Sequence, residues 1–257
     1  ETYQAQKFIP YSWDIKLIND ITSDFISEIV ISSWHRLIAI NGKSGNKVWM
    51  NDHDFTNDVW KLEVVEDING NGFETIIAGS EEGKLCAFDS QDGSKLWTFT
   101  VEGTEELTYG MTGLSLVTIP NSIDDIKVVG DVNNDEINDI LIASDDGYLR
   151  LISGRYGRLL DDYVCFNMST STTETYYGNY PTSPYSSVKR LFMKSGIKIY
   201  EIPDINNDGI KEYISIASDL EYSSSSQTKI IQGKIFNINP LSEINKINIT
   251  RNLNWTY

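Results

Sequence analysis

Four stretches of the sequence set oxygen-bearing side chains at alternate positions. In the fourth, Asp204, Asn206, Asp208 and Glu212 stand at loop positions 1, 3, 5 and 9, and Ile210 at position 7 can add its backbone carbonyl. Hard Ca²⁺ takes six to eight oxygens at about 2.3–2.6 Å, and this spacing wraps a short loop around one ion. The third stretch offers Asp131, Asn133, Asp135, the Ile137 carbonyl and Asp139, with Glu136 where a sharp bend favours glycine. The first offers Asp20, Thr22, Asp24, the Ile26 carbonyl and Glu28, with Phe25 at the bend. The second begins with Asp67, Asn69, Asn71 and the Phe73 carbonyl, then departs: position 9 is Thr75, and the acid comes one place early at Glu74. Regularity orders them fourth, third, first, second.

Asp, Asn and Gly also favour plain turns without metal, so one such loop supports either reading. Four in equivalent places, three with an acid at position 9, favour up to four Ca²⁺ sites. An EF-hand is excluded, because it needs Glu at position 12, where this chain has Ile31, Ala78, Ile142 and Ser215. Other chemistry has little material. The two histidines, His35 and His53, and the two cysteines, Cys86 and Cys165, form no zinc set or disulfide framework. No G-x-S-x-G, H-E-x-x-H or phosphate-binding glycine loop occurs. Acid pairs such as Asp145-Asp146 and Asp161-Asp162 read as surface turns.

Each loop lies between two short apolar strands, and a second half follows each time: HRLIAINGKSGNKVW, GKLCAFDSQDGSKLW, GYLRLISGRYGRLL and GKIFNINPLSEINKI. These halves read as two strands around a tight turn, with Gly45, Gly93 and Gly157 at one position. The fourth copy has Ser242-Glu243 there, so its hairpin is expected to differ. A unit of four antiparallel strands in roughly 40 residues has the size of a propeller blade. The expected fold is all-β: one β-propeller segment over residues 1–257, with blades at about 13–50, 60–100, 125–165 and 196–250. Insertions are expected at 101–122, 167–187 and 221–228, the last interrupting the fourth blade. Trp13, Trp49, Trp60 and Trp97 recur and are expected between blades; Cys86 reads as a small core residue.

The chain carries 37 Asp and Glu against 21 Lys and Arg, a net charge of −16. Such a surface repels phosphate backbones and anionic membrane faces. Four Ca²⁺ would bring −16 + 8 = −8. No 18-residue apolar run is present, so no spanning helix is expected.

The loop with its following strand resembles the FG-GAP repeats of integrin α-subunit propellers. The second half resembles PQQ-type quinoprotein repeats, with Gly-x-x-x-Trp at Gly45–Trp49 and Gly93–Trp97. The third copy has Asp161 in place of that Trp, and the fourth lacks the pattern. The resemblance implies structural calcium and an extracellular, cell-surface or periplasmic setting. The families resembled close rings of seven or eight blades, so four blades imply that further blades, or another copy of the chain, complete the ring. The function expected is a structural, adhesion or ligand-binding module that offers rim loops to protein or glycan, not an enzyme. The alternatives are a quinoprotein dehydrogenase-like enzyme, which needs a full ring and a cofactor, and a polysaccharide lyase-like enzyme.

Overall fold

A computed structural model describes residues 12–110, 113–165, 195–207, 209–222 and 226–254. Four four-stranded antiparallel sheets follow one another along the chain. Blade 1 contains β1 (Asp14–Ile18), β2 (Glu28–Ser33), β3 (Arg36–Ile40) and β4 (Lys47–Asn51). Blade 2 contains β5 (Val59–Val65), β6 (Thr75–Ser80), β7 (Lys84–Asp89) and β8 (Lys95–Thr100). A separate hairpin of β9 (Thr104–Gly110) and β10 (Gly113–Ile119) fills most of the 101–122 insertion. Blade 3 contains β11 (Ile123–Val128), β12 (Ile140–Ser144), β13 (Tyr148–Ile152) and β14 (Leu159–Val164). Blade 4 contains β15 (Ser195–Ile202), β16 (Glu212–Tyr222), β17 (Ser226–Ile238) and β18 (Leu241–Asn254).

Two features of blade 4 differ from the repeat. At both ends of the expected 221–228 insertion β16 and β17 stay paired, out to Tyr222↔Gln227, and residues 223–225 between them lie outside the described residues. The β17–β18 turn is tight, at Asn239-Pro240, with Ile238 paired to Leu241. The 167–187 insertion lies outside the described residues.

The cores lie between successive blades, and strand periodicity explains their composition. Side chains alternate across a strand, so a sheet covered on both faces reads as a nearly continuous apolar run. β6 and β12 are such strands, buried at every position. β2 alternates between buried and half-buried over Glu28–Ile31, because only one of its faces is covered. Val30, Leu37 and Ala39 of blade 1 meet Ile76, Ala78 and Phe88 of blade 2. Ile77, Leu85 and Ala87 then meet Ile140, Ile142 and Ile152 of blade 3. Leu141 and Leu151 meet Tyr213 and Phe236 of blade 4. Cys86 and Cys165 are buried free thiols in different clusters. Of the four tryptophans expected between blades, Trp49 and Trp97 reach across to the next blade. Trp13 is half exposed and tilts against Trp60, centroids 6.2 Å apart. Among the described residues no blade packs on its open side.

The innermost strands β1, β5, β11 and β15 stand in series, each packed on the next. β1 and β15 make no comparable contact among the described residues. Register places Asp14, Lys61, Asp125 and Lys198 at one level of these strands. Lys61 lies 3.8 Å from Asp125, and one level along Glu63 bonds Lys16 at 2.8 Å and lies 3.6 Å from Lys127. The Leu62 N–H donates to Asp14 (3.0 Å), and the Ile199 N–H to Asp125 (2.9 Å). Side chains of one blade thus satisfy backbone groups of the next, which fixes the order of the series.

Candidate metal centres

All four oxygen-rich loops join the first and second strands of a blade, so the same topology delivers them to the same side. Their backbones repeat although their residues do not. Positions 4 and 6 take positive φ each time: Ser23 and Phe25, Gly70 and Gly72, Asn134 and Glu136, Asn207 and Gly209. The bend at position 6 was legible in the sequence. The one at position 4 went unread, although Gly70, Asn134 and Asn207 are residue types that enter the left-handed region readily and only Ser23 gives no signal.

Phe25 bears the steric cost of the left-handed region, about 1–2 kcal/mol, and its ring is almost wholly exposed. Phe25→Gly should therefore raise stability by about 0.5–1 kcal/mol, the relieved strain less the entropy that glycine adds to the unfolded chain. Urea unfolding of the variant checks this. A fall in stability would mean that the ring contributes something its exposure conceals.

In the first loop, Asp20 accepts the N–H groups of Thr22 (3.1 Å), Asp24 (3.2 Å) and Phe25 (2.7 Å). Desolvation works against ionising Asp20, but the N–H groups of Phe25, Asp24, Thr22 and Ser23 outweigh it and hold the carboxyl below its usual range. Glu28 is buried, accepts the Ile21 N–H (2.8 Å) and takes the Thr22 hydroxyl (2.8 Å). Carboxylate oxygens of Asp20, Asp24 and Glu28 lie within 4.8 Å of one another. Two oxygens on opposite sides of one Ca²⁺ stand roughly 4.6–5.2 Å apart. The spacing therefore fits a single ion, with the Ile26 carbonyl in the same loop.

The third loop repeats the design. Asp131 accepts the N–H groups of Asp135 (3.0 Å) and Glu136 (2.8 Å), and Asp135 accepts that of Ile137 (3.1 Å). Asp139 is fully buried and accepts N–H groups from Val132, Asn133 and Gly154. Burial pushes its carboxyl up and the Asp135 charge adds to this, against those three N–H groups. The Asn133 Oδ1 is buried with no hydrogen-bond partner. Arg155 stands 3.7 Å from Asp135, an internal positive charge that the other loops do not share in the described residues.

In the fourth loop, Asp204 accepts N–H groups of Asn207 (2.6 Å) and Gly209 (2.8 Å). Glu212 is fully buried; one oxygen takes the Ile205 N–H (2.7 Å), and Oε1 has no hydrogen-bond partner. Asn206 and Ile210 lie in this loop, and Asp208 lies outside the described residues. A buried acceptor without a partner costs about 1–3 kcal/mol. Asn133 Oδ1 and Glu212 Oε1 each belong to a ligand position, so a cation there would supply the missing partner.

The second loop shows what the sequence reading missed. Asp67 accepts N–H groups of Asn69 (3.1 Å), Gly70 (2.7 Å) and Gly72 (2.5 Å), and Asn71 accepts that of Phe73 (2.9 Å). Desolvation opposes ionisation of Asp67, and the N–H groups of Gly72, Gly70, Asn71 and Asn69 overcome it. Glu74, the displaced acid, turns away from the loop and accepts the Asn19 N–H of blade 1 at 2.7 Å. The carboxylate facing the loop is Asp89 at the end of β7, which binds the amides of Asn69 (2.8 Å) and Asn71. Asp89 pairs in register with Thr75. The corresponding residues are Asn41 in blade 1, which donates to Asp24 (2.9 Å) and Glu28 (3.2 Å), and Ser153 in blade 3, 3.4 Å from Asp135. Aligning the third strands of the repeat one residue past their ends would have found them.

No family model matches the chain. A stretch of 75 residues is 37% identical to the lambda-carrageenases of Pseudoalteromonas sp and Pseudoalteromonas carrageenovora, which is 28% of this chain and 7% of each enzyme. Among solved structures, the WD40 domain of Toxoplasma gondii coronin superposes with a TM-score of 0.50 at 9% identity over 87% of the chain. The fold is a β-propeller. Saccharomyces cerevisiae Sqt1 is also similar, with a TM-score of 0.45, 11% identity and 91% of the chain covered. The propeller chain spans 44% of the coronin structure and 60% of Sqt1.

Proposed function

We propose that this chain is a calcium-binding β-propeller segment that serves as a structural and ligand-presenting module at a cell surface or outside the cell, the periplasm included. Up to four Ca²⁺ ions set the loops at one rim, and the rim offers them to a protein or glycan partner. The observation that carries the reading is the repetition of one loop backbone around oxygen ligands, with Asn133 Oδ1 and Glu212 Oε1 left as buried acceptors. The resemblance to FG-GAP repeats supports the same ion. Weak oxygen sites fill where Ca²⁺ is near millimolar, which favours an external setting.

The test is thermal unfolding in millimolar calcium and in EDTA. An ion that binds only the folded state adds RT ln(1 + [L]/Kd). At 1 mM Ca²⁺ and a Kd near 10⁻⁴ M this is about 1.4 kcal/mol per site, or roughly 3–6 °C for a domain of this size. An unchanged melting temperature, with no calcium in elemental analysis of the purified chain, would sink the proposal.

The 37% identity to lambda-carrageenases over 75 residues favours a second reading, in which the propeller is part of an enzyme acting on carrageenan. Incubation of the chain with lambda-carrageenan separates the two. New reducing ends would establish the enzyme; calcium-dependent retention on the polysaccharide without cleavage would make it the glycan partner of the first reading.

A further inference from the structure

The turn between the third and fourth strands is where neighbouring blades are fitted together. The Trp49 ring lies over Gly93 so closely that a Cβ there would come within 2.7 Å of it. The indole N–H donates to the Ser90 carbonyl at 2.9 Å. Trp97 repeats the arrangement one blade on: a Cβ at Gly157 would meet it at 2.3 Å, and its N–H donates to the Gly154 carbonyl at 3.0 Å. The third seam differs in both halves at once. Asp161 stands in place of the Trp and accepts the Leu241 N–H at 3.1 Å, and the receiving turn, at Asn239-Pro240, has no glycine. The residue offered and the turn that receives it are therefore matched pair by pair.

Blade 1 carries a receiving turn for which the described residues hold no match. Gly45 aligns with Gly93 and Gly157, has φ +70°, and a Cβ there meets nothing within 4 Å among the described residues. The face around it is apolar. Ile15 and Leu17 are 59% and 69% exposed, whereas Leu62, which holds the place of Ile15 in blade 2, is 1% exposed. Ile31, Ile38 and Met50 share that face in register. Blade 4 offers the wrong half: Asn245 pairs with Ile235 as Trp97 pairs with Ala87 and Trp49 with Ala39. A second copy of the chain would present the same Asn245.

We propose that the open face of blade 1 seats a further blade from outside these 257 residues, whose fourth strand carries a Trp at the place of Trp49. That indole lies over Gly45 and donates its N–H to the Gly42 carbonyl, which holds the place of Ser90 and Gly154. The proposal rests on the reading of the chain as an open propeller segment. It continues a seam already built twice within the molecule, and tryptophan packed on glycine is the part that selects the partner.

The probe is a tandem duplication of residues 13–58, which places a known Trp-bearing blade ahead of the original one. The duplicated chain should melt several degrees above the original, and Trp49 of the leading copy should be shielded from acrylamide quenching. Trp49→Asn in the leading copy, or Gly45→Ala in the trailing copy, should each remove the gain. Gly45→Ala in the original chain should show only the small backbone cost of a left-handed residue. No gain on duplication, or a gain indifferent to both substitutions, would overturn the proposal. So would a dimer of the original chain that Gly45→Ala dissociates, which assigns the seat to a second copy, or a cross-link between β1 and β15 in a monomer, which closes the ring. Repeating the melts in EDTA keeps the seam distinct from the metal, since the gain should survive removal of calcium.

Discussion

Trp49→Ala should lower the unfolding free energy by about 3–5 kcal/mol and the melting temperature by on the order of 10 °C. The indole is buried between blades 1 and 2, covers Gly93 and satisfies the Ser90 carbonyl. Alanine leaves a cavity and strips a buried acceptor of its donor, so both penalties apply. Trp49→Phe keeps most of the apolar area and loses the N–H, and should cost nearer 1–2 kcal/mol. Guanidinium unfolding followed by far-UV circular dichroism gives both numbers. Equal losses in the two variants would show that the hydrogen bond, not the packing, dominates this seam. A loss under about 1 kcal/mol for Trp49→Ala would show that the blades are held elsewhere.

The second large effect depends on pH. Asp124, at the start of blade 3, is nearly buried; it accepts the Ile197 N–H of blade 4 at 3.1 Å and the Ser122 hydroxyl at 3.1 Å. Burial pushes its carboxyl up to about 6, and the Asp145 charge adds to this, against the Ile197 N–H, the Ser122 hydroxyl and the Lys198 charge. An unfolded Asp titrates near 3.8. The fold therefore disfavours the ionised form, and stability falls as pH rises from about 4 to about 6 and is level above that. The gap corresponds to at most about 3 kcal/mol. Asp124→Asn can keep an oxygen on the Ile197 N–H and carries no charge, so it should be more stable than the parent by about 2 kcal/mol above pH 7. The advantage should vanish below about pH 4, where the parent Asp124 is protonated too. Denaturation midpoints at about pH 4 and about pH 7.5 decide the matter; a pH-independent difference would place the cause in packing rather than ionisation.

The four-blade series was legible because its signals are local. Alternating strands, Asp-rich loops and glycine turns each span fewer than a dozen residues and recur in register. What was not legible depended on neighbours in space. Glu74 looked like a misplaced ligand, but its target is an amide of blade 1. Asp89 carries no signal in its own strand, because the loop it serves lies on the adjacent strand connection. Residues 221–228 read as a serine-rich interruption, yet backbone pairing of β16 with β17 carries through both ends of that segment. Trp13 matched the tryptophan pattern, but its burial depends on a neighbouring blade rather than on its own sequence.

The exchange of acids between strands bears on how such a chain can diverge. Glu28 stands beside Asn41, Thr75 beside Asp89, and Asp139 and Ser153 flank the paired Ile140 and Ile152 and share the Asn133 amide, so each pair holds one carboxylate. A lineage that loses the acid from one strand can regain it on the adjacent strand of the same blade, with no compensating change elsewhere. The seams have no such freedom. Replacing Trp97 by an acid, or Gly157 by a larger residue, strands the partner on the next blade, so both must change together or not at all. Duplicated blades of this type should therefore drift readily in their loops while their order around the axis stays frozen.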